Sequence, residues 1–406
     1  MPRKVEENGR SQDTNCDIVT MPHTALLFPL VIISILRCVA ASALDLPLQL
    51  YLRDLQAQPI IISLLSTLTW LGMLVGSLLW GALGDRFSRK GLLFLILPAS
   101  ALTLASFALL LPSSGVLVIR LIRAVVISGF APITMAMVSS VSSRRGRGRN
   151  LSYISSSRAL GWMLGGAVSG FLLEAIGFRW TVSVVAFLPL VSLVPLFFLR
   201  VPQEVATHDR SPFWRYLRDK GLRALYLGVT FRQMGIAGSF SLIFVYMASV
   251  GIPAGLMGVV SSLTALAQVL GLVLFGRLAD RLGRKAIFLV GFGLSVFVAP
   301  VFALAQGVWE MAVGHLLVGT AFAALYMGST AHIGDVIPAE RHAVMLGLFD
   351  STRALGGVFG PLVAGLVMPL FGFRGMFLTM AGITAFGFLL VLAGTRARTD
   401  VSSMPT

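Results

Sequence analysis

The chain has 406 residues, of which 56% are hydrophobic and only 12% charged, and its mean hydropathy is +0.87. A water-soluble core of that composition would leave large apolar areas exposed, which excludes an ordinary soluble enzyme or binding module and requires lipid as the solvent. The formal charge of +15 would suit nucleic acid in a soluble chain, so the placement of the basic residues decides what the charge is for.

Crossing a hydrocarbon layer of about 30 Å takes roughly 20 apolar residues in helical form. Twelve runs meet that length: 25–48, 60–83, 91–111, 115–141, 154–176 and 180–199, then 224–250, 256–275, 286–305, 311–332, 353–370 and 375–393. An all-α membrane protein follows, with a polar tail at 1–24, a six-helix bundle at 25–199, a linker at 200–223, a second bundle at 224–393 and a tail at 394–406. Within the linker, 211–222 is either solvated or an amphipathic helix laying Phe213, Trp214, Tyr216 and Leu217 on lipid. The small residues "AASA" at 40–43 resemble a cleavage site. The long mixed-charge stretch before the first run, and Arg37 inside it, favour a span over a cleaved signal. With only Cys16 and Cys38, neither a disulfide framework nor a metal cluster is expected.

With successive loops placed on alternate sides, one side collects Arg86, Arg89, Lys90, Arg144, Arg145, Arg147 and Arg149, then the basic linker, then Arg277, Arg281, Arg284 and Lys285. The other side receives Arg53, Arg179 and Arg374. This asymmetry puts both termini in the cytoplasm. It reads the charge as topology and contact with lipid headgroups, not as a nucleic-acid surface.

The chain also repeats itself. "GALGDRFSRK" at 81–90 returns as "GRLADRLGRK" at 276–285, an offset of 195 residues. At the same offset "SSRALGWMLGGAVSGFLLEAIGFR" at 156–179 matches "STRALGGVFGPLVAGLVMPLFGFR" at 351–374 in eleven of twenty-four positions, and Arg37 falls on Arg232. Two related six-span halves are implied.

Two such halves, each with G-x-x-x-D-R-x-G-R-K after its second span, resemble the major facilitator superfamily, and in particular its drug and metabolite exporters. The likeness runs from Ala25 to Ala393. It implies two pseudo-symmetric bundles that alternate access to a central site lined by the first, fourth, seventh and tenth helices. The loop residues Gly81, Asp85, Arg86, Arg89 and Lys90, and Gly276, Asp280, Arg281, Gly283, Arg284 and Lys285, would gate the cytoplasmic side. Asp85 and Asp280 are expected at the starts of the eleventh and fifth helices, beside Arg353 and Arg158, where the helix dipole favours an anion. The first copy carries Ser88 where the second has Gly283. A Gly-Pro, which antiporters of this family tend to carry in the fifth span, appears instead in the eleventh as Gly360-Pro361, while the fifth has Gly165-Gly166. Both glycine series also serve close helix packing.

Ionisable groups inside spans are costly unless they face a cavity or a partner, so they mark the candidate site. Arg37 stands about 18 Å along its helix, near the midplane. Arg232 with Gln233, Arg123, Asp45, His315 and Tyr326 complete the candidate substrate-binding set. Arg120 either shares a face with Arg123 or snorkels to the outer interface. Asp45 is the leading carboxylate for carrying a proton, with His315 as the alternative. The surplus of arginine over acid predicts an anionic or zwitterionic solute.

The resulting expectation is a monomeric secondary transporter of the cytoplasmic membrane that exports a small organic solute against protons, with no cofactor, metal or catalytic residue. Proton-coupled uptake, and a transport-dead sensor or scaffold on the same fold, are the alternatives. The basic "GRGRN" at 146–150 lacks the phosphate-loop pattern, and no nucleophile constellation suggests an enzyme.

Overall fold

The computed structural model describes residues 23–84, 86–141, 147–199, 220–336 and 342–396. The linker and both tails expected above lie mostly outside them, as does Asp85. The first half comprises α1 (His23–Ser42), α2 (Asp45–Asp54), α3 (Pro59–Gly84), α4 (Arg89–Ala105, ending in a 3₁₀ turn), α5 (Ser113–Ser128), α6 (Phe130–Val141), α7 (Arg147–Val191) and α8 (Leu193–Phe198). The second comprises α9 (Lys220–Ser241), α10 (Ile243–Ser249), α11 (Ala254–Leu282), α12 (Arg284–Leu304), α13 (Val308–Val336) and α14 (His342–Arg396).

Among the described residues nine helical segments are long and apolar enough to cross a membrane, and α9 with α10, bent by 42°, makes a tenth. Two of the nine, 49 and 51 residues long, exceed one crossing. Each turns back at a glycine, Gly177 (φ 72°) in α7 and Gly372 (φ 67°) in α14. Such a positive φ is costly for any side chain with a Cβ. Ile154 and Leu196 accordingly lie in one apolar core, while Phe178, next to the turn, stacks on Tyr51 elsewhere. Twelve crossings in two six-helix bundles result, an all-helical membrane fold.

The helices outrun the apolar runs that announce them. The fifth crossing begins at Arg147, not 154, and the eleventh at His342, not 353. Hydropathy senses only the part in hydrocarbon, whereas backbone hydrogen bonding continues into water. Arg158 and Arg353 therefore lie about 16 Å inside their helices by helical rise, which corrects their placement at the helix starts.

The repeat is visible in the hydrogen bonds. The Tyr51 hydroxyl donates to the Leu111 carbonyl at 3.0 Å, and Tyr246, 195 residues later, donates to Ala305 at 2.7 Å. Arg89 donates to the Ala136 carbonyl at 3.3 Å and its mate Arg284 to Ala331 at 3.2 Å. The loop position where the copies differ is solved twice. Ser88 is extended and its hydroxyl caps α4 by accepting from the Gly91 amide at 3.1 Å, whereas Gly283 takes φ 88°.

We call the end with the α3–α4 and α11–α12 loops the terminal end, and the end with Gly177 and Gly372 the distal end. One apolar core crosses between the halves and is built from distal residues such as Leu44, Leu48, Ile62, Ile243, Met257 and Phe377. Toward the terminal end the cores separate, one holding only first-half residues and two others only second-half residues. Gln49 bonds the Phe240 carbonyl and the Phe244 amide, both at 3.2 Å, Glu174 accepts from the Gly255 amide at 2.8 Å, and Thr67 donates to Val358 at 3.1 Å. Deeper still, Gly357 packs under the Trp70 ring. Beyond that level Gly81 and Gly84 face open space. The halves close at the distal end and diverge toward the terminal end.

Candidate functional site

In the mouth of that divergence sit four arginines at span depth. Arg37 on α1 and Arg158 on α7 are half-buried and near enough to repel each other. Arg232 on α9 is 1% exposed. Its Nε donates to Ser295 at 2.9 Å and one Nη to Gln233 at 3.4 Å. Arg353 on α14 donates to Asp350 at 2.9 Å. Tyr326 on α13 lies near Asp350 and Arg353 and, from the other half, Arg158. It stacks on Phe322, with centroids 5.5 Å apart. The structure thus gathers Arg37, Arg158, Arg232, Gln233, Tyr326 and Arg353 into one region, adding Asp350, which is outside the candidate substrate-binding set, and Phe322, which the sequence reading missed.

Arg37 is held where it is by its own half. One Nη donates to the Ile127 carbonyl at 3.2 Å, the other reaches Cys38 Sγ at 3.7 Å, and the guanidinium lies 5.0 Å from the Phe130 ring centre. The break between α5 and α6 leaves carbonyls of this kind available, because the last turn of a helix has no internal donors for them.

Asp45, Arg120, Arg123 and His315 lie elsewhere. Arg120 does not snorkel. It is 8% exposed, donates to Asp45 at 2.5 Å, and places its Nε on Thr69 at 2.7 Å. Arg123, three residues on, turns to α4 and donates to the Ser100 hydroxyl at 3.1 Å, so the two arginines do not act on one face. His315 is fully buried. Its Nδ1 shares a 2.8 Å hydrogen bond with Thr264, its Nε2 has no partner among the described residues, and Phe240 and Phe302 meet its ring edge-on at 5.3 and 5.5 Å.

The loop residues expected to gate hold their own halves together in this structure. Besides Arg89 and Arg284, Lys90 donates to the Phe197 carbonyl at 3.1 Å at the end of α8, where a cation suits the helix dipole. Arg86 and Arg281 are exposed. The side chain of Asp280 lies outside the described residues, as Asp85 does. The glycine series packs helices: Gly161 and Gly165 meet α1, Gly356 and Gly360 meet α9, and Gly170 and Gly365 meet the opposite half at Ala254 and Ile60. A separate groove of about 410 Å³ between α4 and the second part of α7 is apolar and belongs to the lipid-facing perimeter.

The sequence profile of the Major Facilitator Superfamily matches this chain twice, at residues 30–249 and 225–403. The chain belongs to that superfamily. "Multidrug resistance protein MdtG" of Citrobacter koseri is 26% identical over 350 residues, covering 83% of this chain and 85% of that protein. Among solved structures, a mutant of the nucleoside transporter NupG aligns with a TM-score of 0.80 at 14% identity, over 91% of this chain and 99% of that one. A bacterial homolog of the human lysosomal transporter Spinster, inward-facing and unoccupied, aligns with a TM-score of 0.76 at 13% identity, over 92% and 97%. A multi-pass transporter of the superfamily thus carries this group of arginines at span depth.

Proposed function

We propose that this protein exports a small organic solute from the cytoplasm in exchange for protons. The observation that carries the reading is the pairing of a sealed distal end with a terminal mouth lined by intramembrane charges, the geometry of one state of an alternating-access carrier. The bias of basic residues assigns the terminal end, and with it both termini, to the cytoplasm. The protein then sits as a monomer in the cytoplasmic membrane, with 1–24, 200–223 and 394–406 as cytoplasmic tail, linker and tail around bundles 25–199 and 224–393. The names of the MdtG relatives support export.

For the coupling ion, the Asp45–Arg120 pair offers the candidate carboxylate, an acid at span depth whose partner is a covered arginine. The Asp45 side chain is 34% exposed and the Arg120 side chain 10%, so a proton can reach the acid while the base stays covered. Transport would require the halves to exchange their distal contacts for contacts at the loops after α3 and α11, whose sequences carry Asp85 and Asp280.

Purified protein in proteoliposomes with an internal pH dye tests this directly. Solute-dependent proton movement opposite in direction to the solute is expected. Proton movement in the same direction would make the protein an uptake symporter, and none with any solute of a broad panel would leave a sensor on a carrier fold.

A further inference from the structure

We propose that Arg232, Arg353 and Arg158, grouped about the Phe322–Tyr326 stack, form an oxyanion subsite that receives the carboxylate or phosphate of a soluble organic anion. This rests on the transporter reading and names its substrate class. Three guanidinium nitrogens here lack any acceptor among the described residues: Nη2 of Arg232 and Nε of both Arg353 and Arg158, all buried. A buried donor left unmade is costly, and a charged one more so. Arg232 and Arg353 lie against the same phenyl ring, at 6.0 and 5.0 Å from the Phe322 centre, and act on each other as like charges. Asp350 is the acid bonded to this group, through Arg353, and its side chain is 60% exposed.

These arginines differ from the others at span depth. Arg37 has a carbonyl and a ring, Arg123 has Ser100, and Arg120 has Asp45. Cations that already have acceptors gain little from a ligand, whereas the unmatched donors gain a charge-assisted bond that also relieves their mutual repulsion. The guanidinium fork matches the two oxygens of a carboxylate or phosphate. The Phe322–Tyr326 stack supplies an apolar wall for the body of the ligand. A cationic solute would meet the same charges as repulsion.

The test uses the intact purified protein in neutral detergent, titrated calorimetrically with benzoate, phenyl phosphate and benzylamine, which share a ring and differ in charge. Benzoate or phenyl phosphate should bind and benzylamine should not. Arg232→Gln and Arg353→Gln should each weaken anion binding about tenfold or more, the loss of a charge-assisted hydrogen bond. Arg232→Lys, which keeps the charge without the fork, should fall between and guards against a folding defect, and Arg374→Gln at the exposed distal turn should bind as the parent does. Benzylamine binding as tightly as benzoate, no binding by any of the three, or unchanged anion affinity in both Gln variants would overturn the subsite. So would competition by phosphatidylglycerol but not phosphatidylcholine, which would assign the oxyanion to a lipid headgroup. Proton-coupled flux of solutes without anion preference defeats this subsite and leaves the exporter standing, while benzoate binding without any flux does the reverse.

Discussion

At the same place in each half, a threonine on the second crossing holds a basic side chain from the fourth, yet only one half gives that base an acid. In the first half Thr69 bonds Arg120, which bonds Asp45. At the positions 195 residues on, Thr264 bonds His315, and Phe240 packs edge-on against its ring. The contacts that set the fold are repeated almost unchanged, as in the tyrosines on α2 and α10, the arginines starting α4 and α12, and the glycines turning α7 and α14. A duplicated scaffold keeps its backbone staples, and its halves diverge where side chains do different work. The first half holds the Asp45–Arg120 ion pair, and of the three arginines with unmatched donors two, Arg232 and Arg353, lie in the second half and one, Arg158, in the first.

The largest effect should come from breaking the first-half corner. Asp45→Leu strands Arg120 in a mostly covered position and should cost about 2 to 4 kcal/mol of stability, between the values for exposed and buried pairs. The mate substitution Phe240→Leu should cost about 1 kcal/mol as a change of packed volume. Thermal unfolding in detergent compares them. The exchange Asp45→Phe with Arg120→His rebuilds the second-half corner in the first and should recover most of the loss. If it unfolds no later than Asp45→Leu, the corners are not interchangeable parts of one scaffold.

The glycine turns should respond alike. Gly177→Ala and Gly372→Ala each place a Cβ in a conformation nearly reserved for glycine and should cost about 1 to 3 kcal/mol, read from the same unfolding midpoints. A gap between them larger than their common cost would show that one turn is supported by its surroundings and the other is not. Smaller again, Tyr51→Phe and Tyr246→Phe should each lose about 1 kcal/mol, the worth of one hydrogen bond. The smallest change is in the loops. Ser88→Gly should cost only a few tenths of a kcal/mol, because glycine caps a helix almost as well as serine, while Gly283→Ser should cost more, since its φ of 88° disfavours any side chain.

The fold was legible because hydrocarbon thickness constrains every span, and because the repeat copied charge positions that hydrophobicity alone would not. Helix ends were not, since a helix continues past the bilayer with no hydropathic signal, and that put Arg158 and Arg353 well inside their helices instead of at the helix starts. Of the candidate site, Arg37 and Arg232 could be picked out as charges deep in apolar runs. The Asp45–Arg120 pair could not, because it joins residues far apart in sequence and Arg120 lies near the end of its run, where snorkelling is the ordinary expectation. Applying the 195-residue offset to the charged residues themselves would have set Arg120 beside His315 and Asp45 beside Phe240, flagging that corner as the place where the halves differ. Phe322 carried no signal, since an aromatic in an apolar helix reads as packing.

The proposal that the Asp45–Arg120 pair carries the proton is tested most directly by measuring two kinds of flux in one pair of proteins. In proteoliposomes, Asp45→Asn keeps a carbonyl oxygen for Arg120 but cannot exchange a proton. It should retain solute counterflow, which needs only binding and alternation, and lose accumulation driven by a pH gradient, while the parent shows both. Gradient-driven accumulation that persists in Asp45→Asn would contradict the account, because the first-half pair would then not be where the proton acts.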